Sequence, residues 1–269
     1  MLKVEKTETY GWEAAIQGMR NPMNSWDKSD TKICDAYQVT EYCEGWGYNK
    51  CPYGDNCEKG VWVNDFQSVH LGEKDQDLMK RLCKAGTDHR KFMRMIVVYC
   101  DITAPLYWWK EFKTYRAGKR FGDYEPGLVD NEYLEYDVEM NSCSTMHKIH
   151  SKEFEIDDFS HEHLMEDEAF ARPLGGGWRA LDAHEVLCCT IEALNTARKR
   201  YLITKNKKYW WQIIQLLPSS YNQKRTLMLN YEVLANMYKS RKNHKLDEWR
   251  SFCAWIETLP FSELITGEE

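Results

Sequence analysis

Residues 217–241 read LPSSYNQKRTLMLNYEVLANMYKSR, and the division of this stretch into elements decides the fold. Pro218 cannot continue a helix, so it stops the periodic segment LITKNKKYWWQIIQLL before it. Arg225 to Asn230, RTLMLN, predicts a brief strand. From Tyr231 to Arg241 the apolar residues fall at three and four spacing, which predicts a helix. Upstream, apolar residues keep helical spacing from Leu181 to Thr204, and downstream a further helix is expected over Leu246 to Leu259. Nearer the N-terminus, LKVEKTETY alternates like a strand, GWEAAIQGM reads as a short helix, and RNPMNSWDKSD reads as a polar loop. Lys74 to Ala85 has helical spacing with Gly86 as its stop, and MRMIVVYC predicts a buried strand. Ala104-Pro105 should then open a helix through LYWWKEFKTYRAG, and a helix is expected to start at Asn141 or Ser142. Residues about 31–72 and 119–140 lack periodicity and read as two inserted loops. With no internal repeat, this pattern predicts one helix-rich α+β domain over residues 1–269 with two inserted loops.

At 269 residues, 43% of them hydrophobic, the chain can bury a large core, which excludes disorder. The uncharged apolar runs Met95 to Tyr99 and Tyr209 to Pro218 fall short of the ~18 residues a membrane span needs. The opening MLKVEKTETY lacks the apolar core of a secretion signal, so a cytoplasmic protein is expected. A net charge of −6 argues against a surface made mainly to track duplex phosphate, and no nucleic acid polymer is expected as partner. A local basic pocket for a small anion remains compatible with that balance.

Standard fingerprints for nucleotide loops and hydrolases are missing from the sequence. The glycines of LGGGW at 174–178 do not form a GxGxxG or GxxxxGK pattern and read as a hinge. His161-Glu162-His163 reads as a solvated acidic surface rather than a metal site. Of ten cysteines, Cys83, Cys100, Cys143, Cys188, Cys189 and Cys253 sit in apolar or helical stretches and should act as small hydrophobes. Cys34, Cys43, Cys51 and Cys57 crowd one Gly- and Asp-rich segment. Two readings stand there: a four-thiolate zinc site that stabilises a loop without its own core, or free thiols.

Three separated blocks carry the remaining signal: APLYWWKEFKTYR at 104–116, NSCSTMH at 141–147, and the opening stretch at 217–241. Together they resemble the flavin-dependent thymidylate synthases, the ThyX family. There an Ala-Pro opens a helix running to a Gln and an Arg-His-Arg triplet, and an Asn-x-x-Ser-x-Arg-Tyr motif follows. Later a Leu-Pro precedes two Asn and an Arg at fixed gaps. The matching positions are Pro105, Glu111, the triplet Thr114-Tyr115-Arg116, then Asn141, Ser144, Met146 and His147, then Pro218, Asn230, Asn236 and Arg241. Weaker likeness extends to Arg20 and Ser25.

The resemblance implies a ThyX-like α+β fold, helix-rich with a small antiparallel sheet, together with FAD, a folate one-carbon donor, a pyrimidine deoxynucleotide substrate modified at C5, and a homo-oligomer with a tetramer as the candidate size. It implies that Arg116, Asn141, His147, Asn230 and Asn236 hold flavin. By the same likeness Glu111, Ser144 and Arg241 meet the substrate, with Ser144 as the catalytic candidate. The bland readings are that Asn230 and Asn236 cap or satisfy backbone, that Arg241 forms a surface ion pair, that His147 lies on an exposed face, and that Glu111 pairs with Lys110, Lys113 or Arg116. Departures matter too, because Thr114, Met146 and Glu232 stand where the family has basic residues. None of them can reproduce paired guanidinium-to-phosphate bonds. A second functional reading therefore stands beside the enzyme: a nucleotide-binding or sequestering protein on the same scaffold.

Overall fold

The computed structural model describes residues 2–35, 60–115, 138–166, 172–173 and 180–267. Its chain contacts form two compact units. One is built mainly from Thr103–Phe112 and Asn141–Arg225, and the other from Val4–Ile102 and Thr226–Glu269.

The second unit opens with strand β1 (Lys3–Tyr10) and helix α1 (Trp12–Arg20). Helix α1 turns Trp12, Ala15, Ile16 and Met19 inward, as its three and four spacing requires. Gly11 starts it at φ +87, and a side chain there would run into the Met95 carbonyl oxygen, so both the conformation and the space demand glycine. Strands β2 (Lys32–Asp35), β3 (Val61–Trp62) and β4 (Gln67–His70) make an antiparallel sheet in the order β2-β4-β3, with Ile33 opposite Val69 and Cys34 opposite Ser68. Helix α2 (Glu73–Lys84) ends before Gly86 at φ +99. A 3-10 turn over Lys91–Arg94 leads to strand β5 (Val97–Pro105). Helix α3 (Leu106–Phe112) follows directly in the first unit and buries Trp108, Trp109 and Phe112.

Strand β6 (Glu139–Ser142) and the short pair β7 (Arg172–Pro173) and β8 (Ala180–Leu181) precede the long helix α4 (Ala183–Thr204). Asp182 and Glu185 form a reciprocal capping box that fixes where α4 begins. Helix α5 (Lys207–Leu216) packs back on α4, and Leu187, Ile191, Leu194 and Ile213 share one core with Phe154 and Phe159. Strand β9 (Asn222–Asn230) runs into helix α6 (Tyr231–Arg241), followed by α7 (Asp247–Glu257) and α8 (Glu263–Thr266). The larger sheet has the order β1-β5-β9-β6.

The α+β, helix-rich expectation is met, with helices close to the expected bounds. Four local expectations are corrected. Asn141 and Ser142 end strand β6 and enter turns instead of starting a helix, because the Cys143 amide donates to Lys224 O at 3.0 Å and so continues a ladder. Ala104-Pro105 closes β5 rather than opening the helix. The ends of the 31–72 excursion form a sheet, which short strands without long alternation did not announce. Cys143 and Cys189 are exposed, not small core hydrophobes, whereas burial pushes Cys100 up to about 12 and Cys253 up to about 11. The hinge LGGGW and most of the 119–140 excursion lie outside the described residues.

Candidate functional site

The residues singled out by sequence fall into two groups, one in each unit. In the second unit, helix α6 carries Asn230, Asn236 and Arg241. Asn230 is buried and caps the helix: its Oδ1 accepts from the Val233 amide at 2.9 Å. Asn236 is exposed and accepts from Arg90 Nη2 at 3.1 Å. Glu232, one turn away on the same helix, is 3% exposed, and its Oε2 lies 2.8 Å from Arg90 Nε. That contact is close but not aligned as a hydrogen bond, and both Glu232 oxygens are buried without a hydrogen-bond partner among the described residues. Arg94, on the same 3-10 turn, has a buried Nε that also lacks one. Arg241, in the last turn of α6, places its guanidinium 4.8 Å from the ring centre of the buried Trp249.

Arg90 is the residue that sequence reasoning missed. Its guanidinium reaches Glu232 from a position 142 residues earlier in the chain. Its signal in the sequence was only GTDHRKF, an unremarkable polar turn.

Within the first unit, the loop after β6 holds Asn141, Ser144, Met146 and His147, all exposed. Ser144 Oγ accepts from the Met146 amide at 3.2 Å and the His147 amide at 2.8 Å, which fixes a turn. Trp210 Nε1 pins that turn by donating to Met146 O at 3.1 Å. Half-buried Glu111 lies on α3 beside an aromatic core. There Trp109 Nε1 donates to Gln223 O at 2.9 Å, and buried Arg225 stacks 4.3 Å over the Trp109 ring while donating to Gln223 Oε1. Arg225 is a second cation that the sequence patterns did not single out. Arg116 lies outside the described residues, as do Cys43, Cys51 and Cys57. Cys34 is half-buried in β2, and no group of three or more metal-binding side chains occurs among the described residues.

A polar cleft of about 440 Å³ opens in the second unit, lined by Glu13, Gln17, Arg20, Trp26, Thr31 and Gln67 among others. Arg20 is locked in its wall: Nε donates to Asp75 Oδ1 at 2.6 Å, and Asp75 also accepts from Ser29 Oγ and the Asp30 and Thr31 amides. Burial alone would push the Asp75 carboxyl up, but hydrogen bonds from Ser29, Thr31 and Arg20 together hold it below the ordinary carboxylate range. Ser25 contributes its backbone carbonyl to Arg20 Nη1 at 3.3 Å.

Taken as a class, the chain is an α+β protein with the fold of the flavin-dependent thymidylate synthases. The ThyX enzyme of Helicobacter pylori, solved in complex with FAD and dUMP, is similar to it at 16% identity and a TM-score of 0.54, over 97% of this chain and 96% of that one. A second structure of that enzyme with FAD and dUMP gives 16% identity and 0.55, over 98% and 96%. The UMP/dUMP methylase PolB of Streptomyces cacaoi, bound with 5-Br dUMP, has 13% identity and a TM-score of 0.49, over 99% and 95%. No family model and no curated protein matches the sequence.

Proposed function

We propose that this protein binds a pyrimidine deoxynucleotide on a ThyX-like scaffold and acts as a flavin-dependent one-carbon transferase at pyrimidine C5. The observation that carries the reading is the Arg90 guanidinium. Arg90 stands beside Asn236 and Glu232 on α6, and Arg94 leaves a buried Nε without a partner among the described residues. An orphaned guanidinium donor fits an anionic cofactor, because phosphate would supply the acceptor it lacks. Arg90, Arg94 and Asn236 would meet FAD phosphate, and the resemblance gives flavin contacts to Arg116, Asn141 and His147. Asn230 would act through the helix end it caps.

Bound reduced flavin would supply a hydride during transfer of a one-carbon unit from a folate. The chain's own residues place the substrate. By the resemblance Arg241, steadied on Trp249, would meet the nucleotide phosphate, and Ser144, whose turn is held by two hydrogen bonds from backbone amides, would face the reacting pyrimidine. Glu111 would accept a hydrogen bond from the 4-amino group of cytosine and repel the uracil O4. Because the family builds its site between subunits, a homo-oligomer is part of the proposal. The second reading, binding without catalysis, is favoured by Thr114, Met146 and Glu232 at family basic positions.

Purified protein should be yellow, with flavin absorption near about 450 nm, under the catalytic reading. Colourless protein that cannot be loaded with FAD but binds nucleotide would leave the second reading. Titration should show deoxycytidylate binding better than deoxyuridylate by roughly 5 to 150 fold, with Glu111→Gln reducing or reversing the preference. Equal affinities in the wild type would remove the base contact.

A further inference from the structure

The net charge of −6 conceals a strong local excess of the opposite sign. Between Glu192 and Glu232 the chain has no Asp or Glu at all, and the same stretch holds eight Lys and Arg residues. Six of them, Arg198, Lys199, Arg200, Lys205, Lys207 and Lys208, gather where α4 ends and α5 begins. Among the described residues the one carboxylate paired with these six is Glu153, 3.3 Å from Lys199. The loop after β6 adds Lys148 and His150: Arg198 Nε donates to His150 O at 3.0 Å, and the His150 ring packs edge-on against Tyr201 at 4.9 Å.

Two further observations describe this face. The His150 Nδ1 atom is buried with no hydrogen-bond partner among the described residues. Its imidazole is held below its ordinary proton affinity by burial first, and then by Lys148, Lys205 and Arg198 converging on it. Aromatic rings interleave with the cations. Tyr209 carries Arg200 at 5.7 Å and Lys208 at 4.9 Å, while Trp211 is 45% exposed and stands edge-on to Trp210.

We propose that this face binds single-stranded nucleic acid, its phosphates on Lys148, Arg200, Lys205, Lys207 and Lys208 and a base stacked on Trp211. The spread of cations over two helices and a loop suits several phosphates better than one, and exposed rings suit unpaired bases. A membrane surface is the poorer match. It needs a continuous apolar face, whereas α5 turns Ile213 and Ile214 into the core, and the exposed apolar residues of α4 and α5, Val186, Leu202, Ile203, Trp211 and Leu216, are scattered among charged and polar ones. The proposal goes beyond the mononucleotide reading and does not depend on it.

The test is fluorescence anisotropy of a labelled oligodeoxythymidylate titrated with the full chain. Affinity should fall steeply as salt rises above about 50 mM. Reversing Lys205, Lys207 and Lys208 together to Glu should weaken binding by ~10-fold or more, and Trp211→Ala by ~5-fold or more. Circular dichroism and melting of each variant should match the wild type, since all four side chains are exposed. No binding at low salt overturns the proposal, and so does wild-type affinity in the charge-reversed variant. Should a variant misfold, the wild-type salt series decides alone, and a flat series overturns it. Binding to phosphatidylserine vesicles without binding to the oligonucleotide also overturns it.

Discussion

Two arginine–carboxylate pairs in the same unit, one fully buried and one with a half-buried arginine, have been finished differently. Arg20 and Asp75 are 5% and 0% exposed, and Asp75 takes hydrogen bonds from a hydroxyl and two amides besides the guanidinium. Arg90 and Glu232 are 19% and 4% exposed at a similar separation, yet the carboxylate has no hydrogen bond of its own. Removing charges from water is repaid only when the remaining lone pairs find donors. The first pair is therefore a closed structural hub, tying α1, the Ser29–Thr31 loop and α2. The second keeps acceptor capacity on Glu232 that no described residue uses.

The comparison can be broken most directly at Asp75. Asp75→Ala strands a buried guanidinium and several donors, and should lower unfolding stability by about 3 to 5 kcal/mol in urea melts. A loss below about 1 kcal/mol would remove its role as hub. The pH dependence has a defined sign. With the folded-state carboxyl held below its ordinary value of 3.8, its stabilisation is present above that value and is lost as pH falls through the lower, folded-state range.

Arg90→Ala should weaken FAD binding by about 1.5 to 3 kcal/mol, the worth of one charge-assisted contact, while Glu232→Gln should strengthen it by removing a repelling charge. Fluorescence titration of FAD measures both, and unchanged affinity in Arg90→Ala would make the second pair purely structural. The smallest effect belongs to Asn230→Ala, where losing the cap should cost about 1 kcal/mol in thermal unfolding. If that variant also abolished FAD binding at full stability, Asn230 would touch the cofactor directly instead of acting through the helix.

The helices were legible because their evidence is local. Tyr231–Arg241 agrees with its sequence reading to the residue, since apolar spacing and the Asn cap both lie within one short window. Strand pairing was less legible: β2 pairs with β4 from more than thirty residues away, and the two to four residues of β2, β3 and β4 leave no alternation to read. The candidate site was half visible. The resemblance singled out Asn230, Asn236 and Arg241 on one helix, and position-by-position matching registered Glu232 as a departure but had no means of seeing that Arg90 lies beside it. Arg90 reaches α6 only through tertiary packing. The same limit explains why a global charge balance hid the cationic end of α4.

The two tryptophan pairs described above also amount to a built-in optical instrument. Trp108 and Trp109 meet edge to face at 4.9 Å and are 0% and 1% exposed, whereas Trp210 and Trp211 meet at the same separation with Trp211 45% open to solvent. Indoles so close couple their excited states, so each pair should give a paired band in near-ultraviolet circular dichroism. Aqueous quenchers can reach only the second. The difference in quenching between the wild type and Trp211→Phe therefore separates emission at the α5 surface from that of the chain's other tryptophans.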